Sequence, residues 1–294
     1  MNPFSNEIAT RNFCHAVQGP PQTVVFNCHG IGLANRLRAL IGYWALSRLW
    51  GAKFCVCWVA DQWCNACYLN LFEEPSFRLI EFDEMNHLLA CGGAISYDAA
   101  DWFPEIWRKH ASTTISQKLY FNEVLECARN LNPKKWISNT VEDFSNAYAL
   151  TERIGVHVRH SDNIAMYARW TKESPSFDQS KISKLEGFFS EMDKTLDGRF
   201  FLATDSPAIE KTLQNRYGRS LVIFPKHYYS ATSTRPSSIE HALVEMRLLG
   251  KCKKIVGTYY SSFSKFSAFW SGTEYVDIHG SFGMLRWCSR NPIP

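Results

Sequence analysis

The chain reads as an α/β protein made of two Rossmann-like domains facing across a cleft, over residues 1–148 and 149–294. Three observations lead there. Short apolar runs of strand length alternate with helix-length amphipathic segments through most of the sequence. The first run is followed by a glycine-containing turn and a long helix, which is the start of a βαβ unit. Later runs end abruptly in charged or hydroxyl residues, as strands do when they deliver polar groups to the carboxyl edge of a parallel sheet.

In order, residues 23–28 form the first expected strand, and Gly30 to Arg36 the turn. A helix follows over 33–50, with Leu37, Leu40, Ile41, Trp44, Ala45 and Leu49 near helical spacing and Gly51 as its stop. Residues 53–59 are the next strand. The stretch 60–135 is mixed, apart from a helix over 117–130 and a break at Asn132-Pro133. Residues 136–150 are expected to be a linker or hinge. A second series then begins. Strands are expected over 154–158, 199–204, 220–224 and 254–257, with a final one over 274–278. Helices are expected over 181–196, 207–217, 239–249 and 263–270. Such alternation implies parallel sheets covered on both faces.

The bulk numbers exclude several classes. Of the 294 residues, 46% are hydrophobic and 20% charged, as in ordinary globular proteins. A net charge of +4 is too small for a nucleic-acid surface. The lysines at 251, 253 and 254 suit a helix end. No apolar stretch reaches the roughly 18 residues of a membrane span. The polar N-terminus lacks a signal-peptide pattern, so a cytoplasmic location is expected. Ten Trp can serve sugar binding or, more simply, core and inter-domain packing. Cys55, Cys57, Cys64 and Cys67 lie close together, and Cys64 and Cys67 have ligand spacing. Strand placement of Cys55 and Cys57 on one face favours free thiols in a core over structural zinc or disulfides, and no metal site is expected.

Three segments carry candidate chemistry. The first is the strand end His157, Arg159, His160 and Asp162. A guanidinium there can grip a phosphate through its planar fork, or merely pair with Asp162. At the second, Ala203-Thr204-Asp205-Ser206, Asp205 can accept hydrogen bonds from a nucleotide, while Asp or Ser before Pro207 is also ordinary helix capping. At the third, Ser261, Ser262, Phe263 and Ser264 open a helix whose N-terminus suits a phosphate, although serine capping alone accounts for it as well. The turn at Gly30 to Arg36 fails the G-x-G-x-x-G spacing, since Asn35 stands at the third position, and this counts against a dehydrogenase.

In order, these segments resemble the fucosyltransferase superfamily that includes α1,6-fucosyltransferases, the rhizobial nodulation fucosyltransferase and protein O-fucosyltransferases. The resemblance rests on Gly32 to Arg36, His157 to Asp162, Ala203 to Asp205 and Ser262 to Ser264, and spans most of residues 24–275. The helix around Glu245 is similar to a family segment that usually carries Asp there. Many relatives have Arg-Arg where this chain has Arg159-His160, and some have a carboxylate in the region that here reads Asn163 to Tyr167.

The resemblance implies a GT-B fold and an inverting, metal-independent glycosyl transfer, from GDP-fucose or a related nucleotide sugar to a glycan or glycoconjugate acceptor. No cofactor is implied beyond that donor. Arg159, Asn35 and Asp162 are the expected catalytic residues. His157, Arg159, His160, Asp205, Ser261, Ser262, Phe263, Ser264 and Gly32 are the expected donor contacts. Asp162, His160 and Glu173 are candidates for the base, unless the reaction is dissociative enough to need little base help. Transfer of rhamnose or xylose on the same fold, or a non-catalytic nucleotide- or glycan-binding relative, are the alternatives. Acceptor contacts are expected within 60–135.

Overall fold

A computed structural model describes residues 21–91, 94–97, 101–159, 183–195, 198–228, 237–259, 261–279 and 283–287. Among them are two mainly parallel sheets. The first contains β1 (Thr23–Cys28), β2 (Lys53–Trp58), β3 (Arg78–Leu79) and β4 (Ala94–Tyr97), in the order β3-β2-β1-β4. The second contains β5 (Ile154–Val158), β6 (Phe200–Thr204), β7 (Leu221–Ile223), β8 (Lys254–Thr258), β9 (Glu274–His279) and β10 (Gly283–Trp287), in the order β10-β9-β8-β5-β6-β7. Each sheet therefore grows to one side of its first strand and then reverses. The reversal falls between β1 and β4 in one sheet and between β5 and β8 in the other. The carboxyl edge beside such a reversal is where open α/β sheets leave a crevice for ligands, because the helices on the two sides depart to opposite faces.

The expected strands and helices recur with shifts of one or two residues at most ends. Helix α1 (Leu33–Trp50) matches its expected bounds, and Gly51 caps it. It is buried on nearly every side from Leu33 to Ser47, so it is a central helix rather than an amphipathic surface one. The mixed region yields α2 (Tyr68–Leu71), α3 (Phe82–Ala90), α4 (Phe103–His110) and α5 (Gln117–Arg129).

Residues 136–150 are not a linker. Helix α6 (Lys135–Tyr148) occupies them, burying Ile137, Val141 and Ser145 at helical spacing. Phe144 packs its ring 6.0 Å from Phe201 and 5.5 Å from Phe224, so this segment is docked on the second sheet. Beyond it come α7 (Leu185–Asp193), α8 (Pro207–Tyr217), α9 (Ile239–Leu249) and α10 (Ser262–Ser271). Helix α7 is shorter than the expected 181–196: Ser183 and Lys184 precede it, and Lys181, Ile182 and Leu196 lie outside the described residues. Nor is β9 the final strand. β10 pairs with it antiparallel, so the second sheet is not wholly parallel.

One hydrophobic cluster joins the two halves. Phe103 of α4 meets Phe269 of α10 at 4.7 Å, and the Trp270 indole donates to the Ala128 carbonyl of α5 at 3.1 Å. Lys251 reaches Glu142 on α6 at 2.5 Å, and Lys254 lies on β8, paired with Glu191. Aromatic side chains thus pack both within each half and between the halves. A second cluster lies on the other face of the second sheet, where Ile154, Val156 and Val158 meet Phe188, Met192, Ile209 and Leu213.

The eight described cysteines are thiols. Cys55 and Cys57 sit with Val25, Ile80 and Met85 in a small core, as their strand placement implies. Cys64 is buried while Cys67 is exposed, and no group of metal ligands is found among the described residues. No described helix is long and apolar enough to cross a membrane.

Candidate functional site

Both reversal points carry the motifs singled out in the sequence. At the first, β1 runs into the turn at His29–Gly32 and then α1. Gly30 has φ +70°, a conformation that favours glycine, whereas Gly32 is extended at φ −74° and stands at the N-cap of α1 without a side-chain cap. Asn35 lies half-buried in the first turn of α1.

The residue that organises this turn is Arg36, whose side chain is 0% exposed. Its Nε donates to the Ile31 carbonyl at 2.8 Å and its Nη1 to the Val59 carbonyl at 2.5 Å, while Nη2 pairs with Asp61 at 2.7 Å. Asp61 in turn accepts from the Gly30 N–H at 2.6 Å, the Trp63 N–H at 2.8 Å and the Cys64 N–H at 3.0 Å. Burial pushes its carboxyl up, but the Gly30 and Trp63 hydrogen bonds and Arg36 outweigh this and hold it below the usual range. The turn that carries Gly32 and Asn35 is thereby fixed by a charge pair spent on backbone groups.

At the second reversal point the arrangement differs. β5 alternates, so Gly155 and His157 face α9 and α10, while Val156 and Val158 face the opposite core. Beyond the end of the strand, Arg159 Nε pairs with Asp205 Oδ2 at 3.2 Å. Arg159 N–H donates to Thr258 Oγ1 at 2.9 Å, and that hydroxyl donates to the His157 carbonyl at 3.1 Å, which ties the ends of β5 and β8 together. The capping reading of the second segment belongs to Ser206, whose Oγ accepts from Ile209 N–H at 3.4 Å; Asp205 is turned to Arg159 instead.

Ser261 caps α10 by accepting from the Phe263 N–H at 3.4 Å, and Ser262 is the first helical residue. Phe263 stacks on His157 with ring centroids 4.9 Å apart. Ser264 is fully buried, its Oγ 3.1 Å from His157 Nδ1. Burial and the nearby Arg159 push His157 down to about 3, so the ring is neutral at ordinary pH.

Behind Asp205 lies a buried cluster that sequence reading missed. Lys226, its side chain 1% exposed, meets Glu245 Oε1 of α9 at 2.5 Å and Glu210 Oε1 of α8 at 2.8 Å. Tyr228 donates to Glu210 Oε1 at 2.5 Å. Burial pushes the Glu245 carboxyl up to about 7 even against the pull of Lys226. Burial also pulls Lys226 down, but Glu245 and Glu210 outweigh this and keep it above its ordinary value. Only Glu245 had a sequence signal, as a departure from an expected Asp. A lone Lys or Tyr in the segment after β7 carries no pattern.

The second site therefore gathers His157, Arg159, Asp205, Ser261, Ser262, Phe263 and Ser264 around the ends of β5, β6 and β8. Gly32 and Asn35 stand at the other reversal point. His160, Asp162 and Glu173 lie outside the described residues.

No family model and no curated protein matches this chain. Solved structures do. The fucosyltransferase NodZ from Bradyrhizobium superposes with a TM-score of 0.58 at 14% identity, over 91% of this chain and 99% of that one. A NodZ α-1,6-fucosyltransferase crystal soaked with GDP-fucose gives 0.54 at 16% identity, over 90% and 98%. An Arg-to-Lys variant of Arabidopsis thaliana FUT1 in complex with GDP gives 0.51 at 14% identity, over 88% of this chain and 70% of that one. The chain thus has the GT-B fold of the fucosyltransferase structures it resembles.

Proposed function

We propose that this protein is a glycosyltransferase that takes a sugar from a nucleoside-diphosphate donor, GDP-fucose, and passes it with inversion and without a metal to a glycan or glycoconjugate. Residues 149–294 bind the donor, and residues 1–148 supply most of the acceptor side. The observation that carries this reading is the placement of Arg159 just after β5 and of the α10 N-terminus just after β8, on two adjacent strand ends that Thr258 ties together at the reversal point of the second sheet. It is supported by the likeness to structures solved with GDP and GDP-fucose.

The chemistry follows from the charges. As the bond from the sugar to the diphosphate breaks, the sugar acquires oxocarbenium character and the leaving oxygen becomes negative. A fixed guanidinium stabilises that oxygen most if it is oriented beforehand. Asp205, by holding Arg159 at Nε, supplies the orientation and is a positioning residue in this scheme. The positive end of the α10 dipole and the backbone N–H at Ser262 act on the same developing charge. Asn35 meets the transferred sugar or the acceptor hydroxyl from the first half. Asp162 or His160, which follow Arg159 in the chain, are the proposed groups for taking the acceptor proton.

A panel of nucleotide sugars scored by thermal shift tests the reading, since a ligand bound to the folded state raises its melting temperature. GDP-fucose is expected to stabilise more than UDP- or TDP-sugars and to be slowly hydrolysed without acceptor. Stabilisation by none of them contradicts a nucleotide-sugar site. Stabilisation with no hydrolysis or transfer would leave a binding protein, not an enzyme.

A further inference from the structure

A line of side chains runs from His157 through Ser264 of α10 to Tyr275 and Asp277 of β9. His157 Nδ1 is 3.1 Å from Ser264 Oγ, and Ser264 Oγ is 3.4 Å from the Tyr275 hydroxyl. The Tyr275 hydroxyl is 2.5 Å from Asp277 Oδ1, and Asp277 Oδ2 pairs with Lys265 at 3.1 Å. His157, Ser264, Tyr275 and Asp277 are all buried. The chain makes room for this line at Gly257, where a side chain would run into Ser264 Oγ and the Tyr275 ring and hydroxyl.

The hydrogens along this line have one consistent direction. The Asp277 carboxylate, paired with Lys265, accepts only, so Tyr275 donates its single proton to it. The Tyr275 oxygen is then an acceptor toward Ser264, and that contact is attractive only if Ser264 donates. With its proton so placed, Ser264 can face His157 Nδ1 only as an acceptor, and Nδ1 must carry the ring hydrogen. We propose that Tyr275 and Asp277 are positioning residues that fix His157 as the Nδ1–H tautomer and leave Nε2 as a nitrogen that only accepts.

The consequence bears on ligand choice and, in that part, rests on the function proposed above. A ligand group that meets Nε2 must bring a hydrogen. A phosphate oxygen placed there would face a lone pair, so His157 does not share the diphosphate with Arg159 despite being two residues away. Neutrality of the ring, which burial and Arg159 enforce, is needed for the same outcome.

The test is nitrogen NMR of histidine-labelled protein, with the His157 signals assigned by their loss in His157→Gln. The free protein is expected to show Nδ1 protonated and Nε2 bare. In Tyr275→Phe, Ser264 is released to donate to Nδ1, and the population should move to Nε2–H. Ser264→Ala removes one buried oxygen and should end the dominance of the Nδ1–H form, which keeps the test available if Tyr275→Phe does not fold. An Nε2–H tautomer or a charged ring in the free protein overturns the proposal, as does a Tyr275→Phe spectrum identical to the parent. An Nδ1–H tautomer in a protein that binds no GDP would leave the relay standing and remove the nucleotide-sugar reading instead.

Discussion

The two reversal points occupy the same topological address in their sheets but use charge in opposite ways. At the end of β1, Arg36 and Asp61 are consumed by backbone groups: two carbonyls on one side, three N–H groups on the other. Their charges hold a turn. At the end of β5, Arg159 and Asp205 meet each other across two strand ends, and His157 ends a side-chain relay. That pair links two strand ends rather than the backbone of one turn. Topology therefore marks two places where a ligand can sit, one carrying a turn fixed by buried charge and the other an ion pair at the carboxyl edge of the sheet.

The sharpest way to break this contrast is to exchange the losses. Arg159→Ala should reduce turnover per folded molecule roughly 100- to 1000-fold, the effect of losing one preoriented donor to a developing anion, and should cost less in a urea unfolding curve than loss of the fully buried Arg36, which also serves two carbonyls. Lysine should not restore it fully, because it lacks the planar fork. Arg36→Ala should do the reverse. Leaving Asp61 without its buried partner should cost about 3 kcal/mol of stability by urea denaturation, and the rate per folded molecule should fall less than in the Arg159 variant. Near-normal turnover of Arg159→Ala, or an unchanged midpoint for Arg36→Ala, would erase the distinction.

Asn35→Ala sharpens the contrast from the first site. It stands on the rigid frame but belongs to no part of the Arg36 network, so the account expects about a tenfold loss of rate with stability kept, the scale of one hydrogen bond. Lost stability with an unchanged rate per folded molecule would make Asn35 part of the frame.

A smaller effect is expected from the carboxyl behind Asp205. Folding raises Glu245 from an ordinary 4.5 to about 7. The folded state thus keeps a proton that the unfolded state releases, and this group makes stability fall as pH rises from about 4.5 through about 7. His157, pushed down to about 3, slopes the other way between about 3 and 6.5. The difference between the parent and Glu245→Gln, measured by denaturation across this range, isolates the first slope. No difference in slope would mean that Lys226 keeps Glu245 ionised. The smallest expected effect is that of a chelator, which should leave turnover unchanged. Loss of activity restored by zinc would bring the cysteines into the chemistry.

What was legible in the sequence follows the range of the interactions. Strands β1, β5, β6 and β8 and helices α1, α8 and α9 announce themselves by local runs, caps and glycine stops, and the structure keeps them nearly residue for residue. Residues 136–150 read as a linker or hinge because the buried positions of α6 are few, and Phe144 finds its partners, Phe201 and Phe224, far along the chain. The same holds for the site. Residues next to a strand end, such as Arg159 and Asp205, show themselves by the abrupt change from apolar to charged. Asp61, Lys226, Tyr228 and Tyr275 do not, because each acquires its role from a group on another element. The helix start marks Ser264 as a polar position, while its burial against His157 depends on a residue over a hundred positions away.

The central claim is that the crevice at the reversal between β5 and β8 is a nucleoside-diphosphate site built on Arg159. Calorimetry of GDP and UDP with the parent protein and with Arg159→Ala, in buffer free of divalent cations, tests it most directly. The account predicts that GDP binds the parent more tightly than UDP, without magnesium, and that Arg159→Ala loses at least about tenfold of that affinity, since a charge-assisted contact exceeds an ordinary hydrogen bond. Equal or tighter binding of UDP would contradict the GDP assignment. GDP binding of undiminished strength in Arg159→Ala would contradict the site itself.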